Sequence, residues 1–197
     1  ALRALRSRED LFEIFIQPLP WGKTGWVWEE SEFREWMDSR IQLTQVLIQQ
    51  KQLQADISLQ ITIPNEFQKL TPINIGYTAG IETDRVAPVW LQKGNEMDKV
   101  LVVSNHAKTT YENTTVVARA TPDGEDFNYN MTKPIGVVWE KTPRAEPSPI
   151  PNVELDYDFN FLMVSQMGAR KNFPNALSWW VEEFIDQEVG LVVKTNI

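Results

Sequence analysis

Cysteine is absent from these 197 residues, and histidine occurs only once, as His106. The first absence excludes disulfides and thiol catalysis, and it fits a cytoplasmic location, which is the expected one. The second excludes a histidine-rich metal centre. No apolar run approaches the roughly 20 residues of a membrane-spanning helix, no signal peptide opens the chain, and no internal repeat or low-complexity segment stands out. Basic residues are the minority: 19 Lys and Arg stand against 27 Asp and Glu, for a net charge of −8. That balance argues against a dedicated nucleic-acid binder, which carries a basic face, but it leaves room for a local basic pocket. The triplets Asn113-Thr114-Thr115 and Asn130-Met131-Thr132 match the glycosylation pattern, with no other mark of secretion.

What is present is ordinary for a globular protein, with 42% hydrophobic and 23% charged residues. The length suits one large domain, or one domain plus part of another. Ala1 to Arg6 has the pattern of a helix end, with no initiator methionine, and Thr195-Asn196-Ile197 follows directly on a strand pattern. These ends lead to the expectation of a fragment cut at both sides.

The pattern along the chain alternates short apolar runs with helical periods. Leu11–Ile16 predicts a strand. The segment 17–30 holds Pro18, Pro20, Gly22, Gly25 and three tryptophans, Trp21, Trp26 and Trp28, and predicts a loop. Ser31 predicts the cap of a helix running to about Leu53. Strands follow at Asp56–Ile63, stopped by Pro64, and at Ile73–Thr78. Pro88, at a tolerated first helical position, opens a short helix through Met97. A strand at Lys99–Val103 precedes a helix that Asn105 can cap and that runs to about Asn113. Thr121-Pro122-Asp123-Gly124-Glu125 predicts a turn at the tip of an insertion, and Ile135–Trp139 a strand.

Prolines 143, 147, 149 and 151 then crowd nine residues, the composition of a semi-rigid linker. Beyond it lie a strand at Phe159–Val164, a helix at Asn172–Asp186 and a strand at Val189–Lys194. That order is a βαβ crossover, which should be parallel and right-handed.

Gly22-Lys23-Thr24 invites comparison with a phosphate loop, but the motif needs a glycine five residues earlier, where Gln17 stands. The nearby tryptophans read either as stacking faces for a sugar ring or as cover for a sheet edge.

The most informative stretch is Ile75–Asn105, in which two consecutive strands end in polar groups. The first ends at Tyr77-Thr78 and is followed by Glu82-Thr83-Asp84-Arg85; the second ends at Ser104-Asn105. In parallel α/β sheets, ligands collect at the carboxyl ends of strands. Glu82 reads as a carboxylate that orients a hydroxyl or acts as a base, or as a surface partner of Arg85. Tyr77 and Thr78 read as cleft lining, or Tyr77 as a core aromatic. Ser104 and Asn105 read as ligand contacts or as helix caps, and His106 as a surface residue near the cleft. Gly168-Ala169-Arg170-Lys171-Asn172 lies between a strand and a helix start, where backbone N–H groups and a nearby cation favour phosphate; the bland reading is a solvated basic loop.

The elements Tyr77-Thr78, Glu82-Thr83-Asp84, Trp90, Met97-Asp98 and Val102-Val103-Ser104 resemble the acceptor-side domain of the group 1 nucleotide-sugar glycosyltransferases, which have the two-Rossmann-domain GT-B fold. Phe159 to Lys194 looks like the start of that family's donor domain, and the two matches occur in the family's order. Together they cover roughly half of the chain closely.

The resemblance implies an α/β fold in three parts. Residues 1–141 would be a truncated, Rossmann-like acceptor-side domain with a parallel sheet, 142–155 a proline-rich linker, and 156–197 the first βαβ unit of the nucleotide-sugar donor domain. It implies transfer of a sugar from a nucleotide diphosphate sugar to a carbohydrate or glycan acceptor, without a bound metal or other cofactor. Gly168, Arg170 and Lys171 would hold the donor diphosphate, with Lys171 aligned to the family's lysine. The family's earlier glycine–arginine pair is replaced by Ser165-Gln166. Glu82 would be the catalytic carboxylate, with Tyr77, Thr78, Ser104 and Asn105 lining the acceptor cleft. The family's glutamate pair falls outside this sequence, so the fragment alone is expected to be inactive. The short second unit, with Phe161, Leu162 and Val164 on its first strand, is expected to need cover from the first domain or from self-association. The rival reading is a non-catalytic Rossmann-like binding or assembly module; a third is another two-Rossmann enzyme, such as a sugar-nucleotide epimerase.

Overall fold

A computed structural model of the chain describes residues 1–20, 30–119, 124–141 and 146–195. The tryptophan-rich segment 21–29, with its expected sugar-stacking or edge-covering role, lies outside the described residues, as do Thr121, Pro122 and Asp123 of the expected turn and Pro143 of the expected linker. The chain divides into two compact units, Ala1–Lys141 and Thr142–Ile197.

In the first unit, a short helix α1 (Leu2–Arg6) is followed by an extended segment and the long helix α2 (Glu32–Gln49). Ser31 caps α2 by accepting from the Arg34 N–H at 3.2 Å, and Glu32 and Glu35 place negative charge at the positive end of the helix dipole. The helix stops at Gln50, followed by Lys51 in the left-handed region at φ 57°. Glu9 ties the preceding chain to α2: its carboxylate accepts from Trp36 Nε1 at 2.9 Å and Arg40 at 2.8 Å. The Arg3 guanidinium lies 4.0 Å over the Phe33 ring.

The strand expected at Leu11–Ile16 does not form. A strand needs a neighbouring backbone to pair with, and this segment takes a helix side chain instead. Ile14 is buried, and the Ile16 N–H donates to Thr44 Oγ1 of α2 at 2.9 Å. The Thr44 hydroxyl in turn donates back to the Arg40 carbonyl.

The sheet that follows is parallel, with strands in the order β1 (Ile57–Ile61), β2 (Ile73–Thr78), β3 (Lys99–Val102) and β6 (Ile135–Val137). Helix α3 (Pro88–Glu96) connects β2 to β3. Helix α4 (Asn105–Asn113) and an antiparallel hairpin, β4 (Thr115–Arg119) with β5 (Asp126–Asn130), lie between β3 and β6. From β1 to β2 the chain makes only a 3₁₀ turn, Pro64–Glu66. Phe67 follows that turn and is completely buried; it lies where a side chain on Gly76 of β2 would stand, 2.4 Å from an added Cβ. A phenyl ring thus covers the middle of the sheet, and only glycine leaves room for it.

Register sorts the side chains between two faces. Thr62, Asn74, Gly76, Thr78, Val100 and Val102 are buried, and Phe67, Leu91, Met97, Ala107 and Tyr111 join the two valines in the core. Each large apolar side chain so buried contributes about 1.5–3 kcal/mol. The alternate residues, Ile57, Leu59, Ile61 and Ile73, are exposed. A parallel sheet normally has both faces covered; among the described residues, this second face is apolar and exposed at those four positions.

Asn74 fastens the amino-terminal edge. Its Oδ1 accepts from Leu70 N–H (2.8 Å), Thr71 N–H (3.1 Å) and the Ser58 hydroxyl (2.9 Å), and its Nδ2 donates to the Thr71 carbonyl at 2.6 Å. Asp98 completes the edge by accepting from the Asn74 N–H at 2.8 Å.

The second unit has two parallel strands, β7 (Asn160–Val164) and β8 (Gly190–Lys194), joined through helix α5 (Phe173–Phe184). Phe161, Trp180 and Phe184 form an aromatic cluster, with Phe161 and Phe184 centroids 4.8 Å apart. On the other strand face Leu162 and Val164 are 69% and 66% exposed. The chain is therefore mixed α/β with a four-stranded parallel sheet.

Candidate functional site

Parallel pairing puts the carboxyl ends of β2 and β3 on one sheet edge, with Thr78 beside Val102 in register. The chain leaving β2 must turn over the start of α4, and Gly80 allows it. Its φ of 82° lies in the left-handed region, and an added Cβ would stand 2.6 Å from the Ala107 Cβ. No L-side chain suits both the torsion and the approach.

Two bonds then hold the loop against α4. The Thr83 carbonyl accepts from His106 Nε2 at 3.2 Å. The Val86 N–H donates to Thr114 Oγ1 at 3.1 Å, and Thr114 is buried. The loop is thus fastened to α4 just after Glu82, at Thr83 and Val86.

The result is an open depression of about 340 Å³ lined by Ala79, Gly80, Ile81, Glu82, Ser104 and His106. Glu82 and Ser104, both named from the sequence, share this lining. Of the two residues expected as caps of α4, Ser104 is the cap, its Oγ accepting from the Ala107 N–H at 3.1 Å. Asn105 is instead the first helical residue, exposed and outside the lining. The choice follows from geometry: the cap residue keeps extended backbone angles, and Ser104 does so at φ −152° and ψ 158°.

Tyr77 and Thr78 go elsewhere, because successive strand residues face opposite ways. Thr78 is buried beneath the loop, its hydroxyl accepting from the Gly80 N–H at 3.4 Å. Tyr77 is on the open face, where its hydroxyl donates to the Val138 carbonyl at 3.2 Å. Burial, and secondly the Glu140 carboxylate, push the Tyr77 phenol above its ordinary pKa. Neither lines the depression.

His106, expected as a surface residue near the cleft, is exposed and lines it. Among the described residues no three His, Cys, Asp or Glu side chains gather to hold a metal ion.

In the second unit, Gly168, Arg170 and Lys171 are exposed, and Ala169–Lys171 form a 3₁₀ turn. Two amides of this loop are already engaged: Lys171 N–H donates to the Gly168 carbonyl at 3.0 Å and Asn172 N–H to the Ala169 carbonyl at 3.1 Å. Asn172 takes left-handed angles at φ 50°, which turns the chain into α5, and its Oδ1 accepts from Asn175 Nδ2 at 2.8 Å. An added Cβ on Gly168 meets nothing within 4 Å, so the loop is open around it.

No protein-family model, curated protein or solved structure matches the chain.

Proposed function

We propose that the chain belongs to a nucleotide-sugar glycosyltransferase of the GT-B type. Its first unit is most of the acceptor-side domain, and its second is the start of the donor domain. The observation that carries this reading is the gathering of Glu82 and Ser104 at the carboxyl ends of β2 and β3, on a loop fastened to α4. In the reaction, an acceptor hydroxyl oxygen bonds to the anomeric carbon of the donor sugar. The bond from that carbon to the diphosphate breaks, and the diphosphate leaves with the electron pair. Glu82 orients the hydroxyl and takes its proton. Lys171 and Arg170 balance the charge of the departing diphosphate, the electrostatic role expected of cations at such a site.

The test is acceptor-dependent release of nucleoside diphosphate from a panel of nucleotide diphosphate sugars, with the chain carried in a complete two-domain protein. Release is expected with at least one donor.

A second reading, a non-catalytic assembly module, draws on a different observation: Ile57, Ile61 and Ile73 are 49%, 48% and 45% exposed on one sheet face. No release across the panel, together with a stable oligomer that Ile61→Lys dissociates, would favour it.

A further inference from the structure

The geometry points to His106 as a direct ligand contact: its Nδ1 accepts a hydrogen bond from a hydroxyl of a neutral polyhydroxy ligand seated in the Glu82–Ser104 depression. This deepens the proposed acceptor site and rests on that reading. A carbonyl oxygen can only accept, so the 3.2 Å contact to the Thr83 carbonyl assigns the hydrogen to Nε2. In the neutral ring that leaves Nδ1 as an acceptor, on a residue that lines the depression. The same bond holds the ring, because the loop that carries the Thr83 carbonyl is itself held to Thr114 through the Val86 N–H.

The neighbouring groups select the ligand class. Glu82 supplies a second acceptor. Ser104 Oγ already accepts from Ala107 N–H, which leaves its own hydrogen to donate. No lysine or arginine is in the lining, and Lys108, one turn along α4 from Ser104, pairs with Glu112 at 3.6 Å. Two acceptors, one of them a carboxylate, and one donor suit a pair of hydroxyls and disfavour phosphate.

Because the chain has one histidine, long-range proton–nitrogen spectra of the ¹⁵N-labelled protein in mildly alkaline buffer read this ring alone. The expected result is the Nε2–H tautomer and a saturable displacement of Nδ1 by at least one of methyl α-D-glucopyranoside, methyl α-D-mannopyranoside and methyl β-D-galactopyranoside. Inorganic phosphate at equal ionic strength should leave the signal in place. Glu82→Gln, a surface change that preserves shape, should weaken the sugar response about tenfold, the loss of one charge-assisted hydrogen bond. The Nδ1–H tautomer, no saturable response to any of the three glycosides, an equal response to phosphate, or a response unchanged in Glu82→Gln would each overturn the assignment. A saturable response in a protein with no transferase activity would keep His106 as a ligand contact and remove the glycosyltransferase reading. Transfer with a silent imidazole would do the reverse.

Discussion

Replacing Gly80 with alanine should cost more than its single added methyl suggests. Two penalties meet at this residue. A φ of 82° is unfavourable for an L-residue, at a cost of about 1–2 kcal/mol. The new Cβ would also stand 2.6 Å from the Ala107 Cβ, about 1 Å inside normal carbon–carbon contact, and overpacking of this kind costs about 1–3 kcal/mol. If the loop stays seated, the sum is about 2–5 kcal/mol. If it lifts, the bonds from His106 to Thr83 and from Val86 to Thr114 are lost, at about 1 kcal/mol each, so the penalty is similar by either route. Urea unfolding of both proteins measures it as a lower midpoint at unchanged slope. The route is separated by adding Ala107→Gly to Gly80→Ala: relief of the clash appears as a coupling of about 1 kcal/mol or more in the double-mutant cycle. A Gly80→Ala protein within about 0.5 kcal/mol of the parent would show that the loop does not sit against α4 as described, and the depression would lose its wall.

Tyr111 is fully buried, and its hydroxyl has no partner among the described residues. Tyr111→Phe should therefore raise stability at neutral pH by about 1 kcal/mol, as read by urea unfolding; destabilisation would point to a partner for the hydroxyl. Burial pushes this phenol well above its ordinary value. Above about pH 10 the unfolded chain therefore releases a proton that the folded one keeps. Stability should fall as pH rises, by up to about 1.4 kcal/mol per unit for this residue, and the Tyr111→Phe protein should lack that share of the slope. Asn74→Ala strips partners from Leu70 N–H, Thr71 N–H and the Thr71 carbonyl and should cost about 2–4 kcal/mol in the same measurement, whereas a loss below about 0.5 kcal/mol would mean that the edge is held by other contacts. Lys171→Ala, in a protein with a complete donor domain, should weaken nucleoside diphosphate binding by about 1.5–3 kcal/mol in calorimetry; unchanged affinity in a folded variant would remove Lys171 from the donor site.

Local signals located most of the regular elements. Ser31 ahead of an apolar period marked α2, Pro88 marked the first turn of α3, and the apolar runs at 73–78 and 99–102 became adjacent parallel strands. Two features escaped because their causes are not local. Leu11–Ile16 has strand composition, but its N–H groups bond to the Arg8 carbonyl and, at Ile16, to the side chain of Thr44, 28 positions away, not to a neighbouring strand. The strands β4 and β5 were missed around a recognised turn because Asp126–Asn130 is polar and largely exposed, without the apolar alternation that marks a strand. The exposed place of His106 near the cleft was legible, but its tie to Thr83 was not, because it depends on the loop path at Gly80. At the candidate site, the pairing of Glu82 with Ser104 could be anticipated from strand ends alone. The opposite directions of Tyr77 and Thr78 follow from strand alternation once the register is known.

The most direct test of the proposed chemistry is sugar transfer by Glu82→Gln in an active two-domain protein that carries this chain. Glu82 is exposed and lies on a loop held by its neighbours' backbone, so the substitution should leave the fold intact while removing the charge. The account predicts that kcat/KM falls about 10²-fold or more, the contribution of a positioned base, while donor affinity measured by calorimetry stays unchanged. Transfer at the parental rate with a correctly folded Glu82→Gln protein would contradict it.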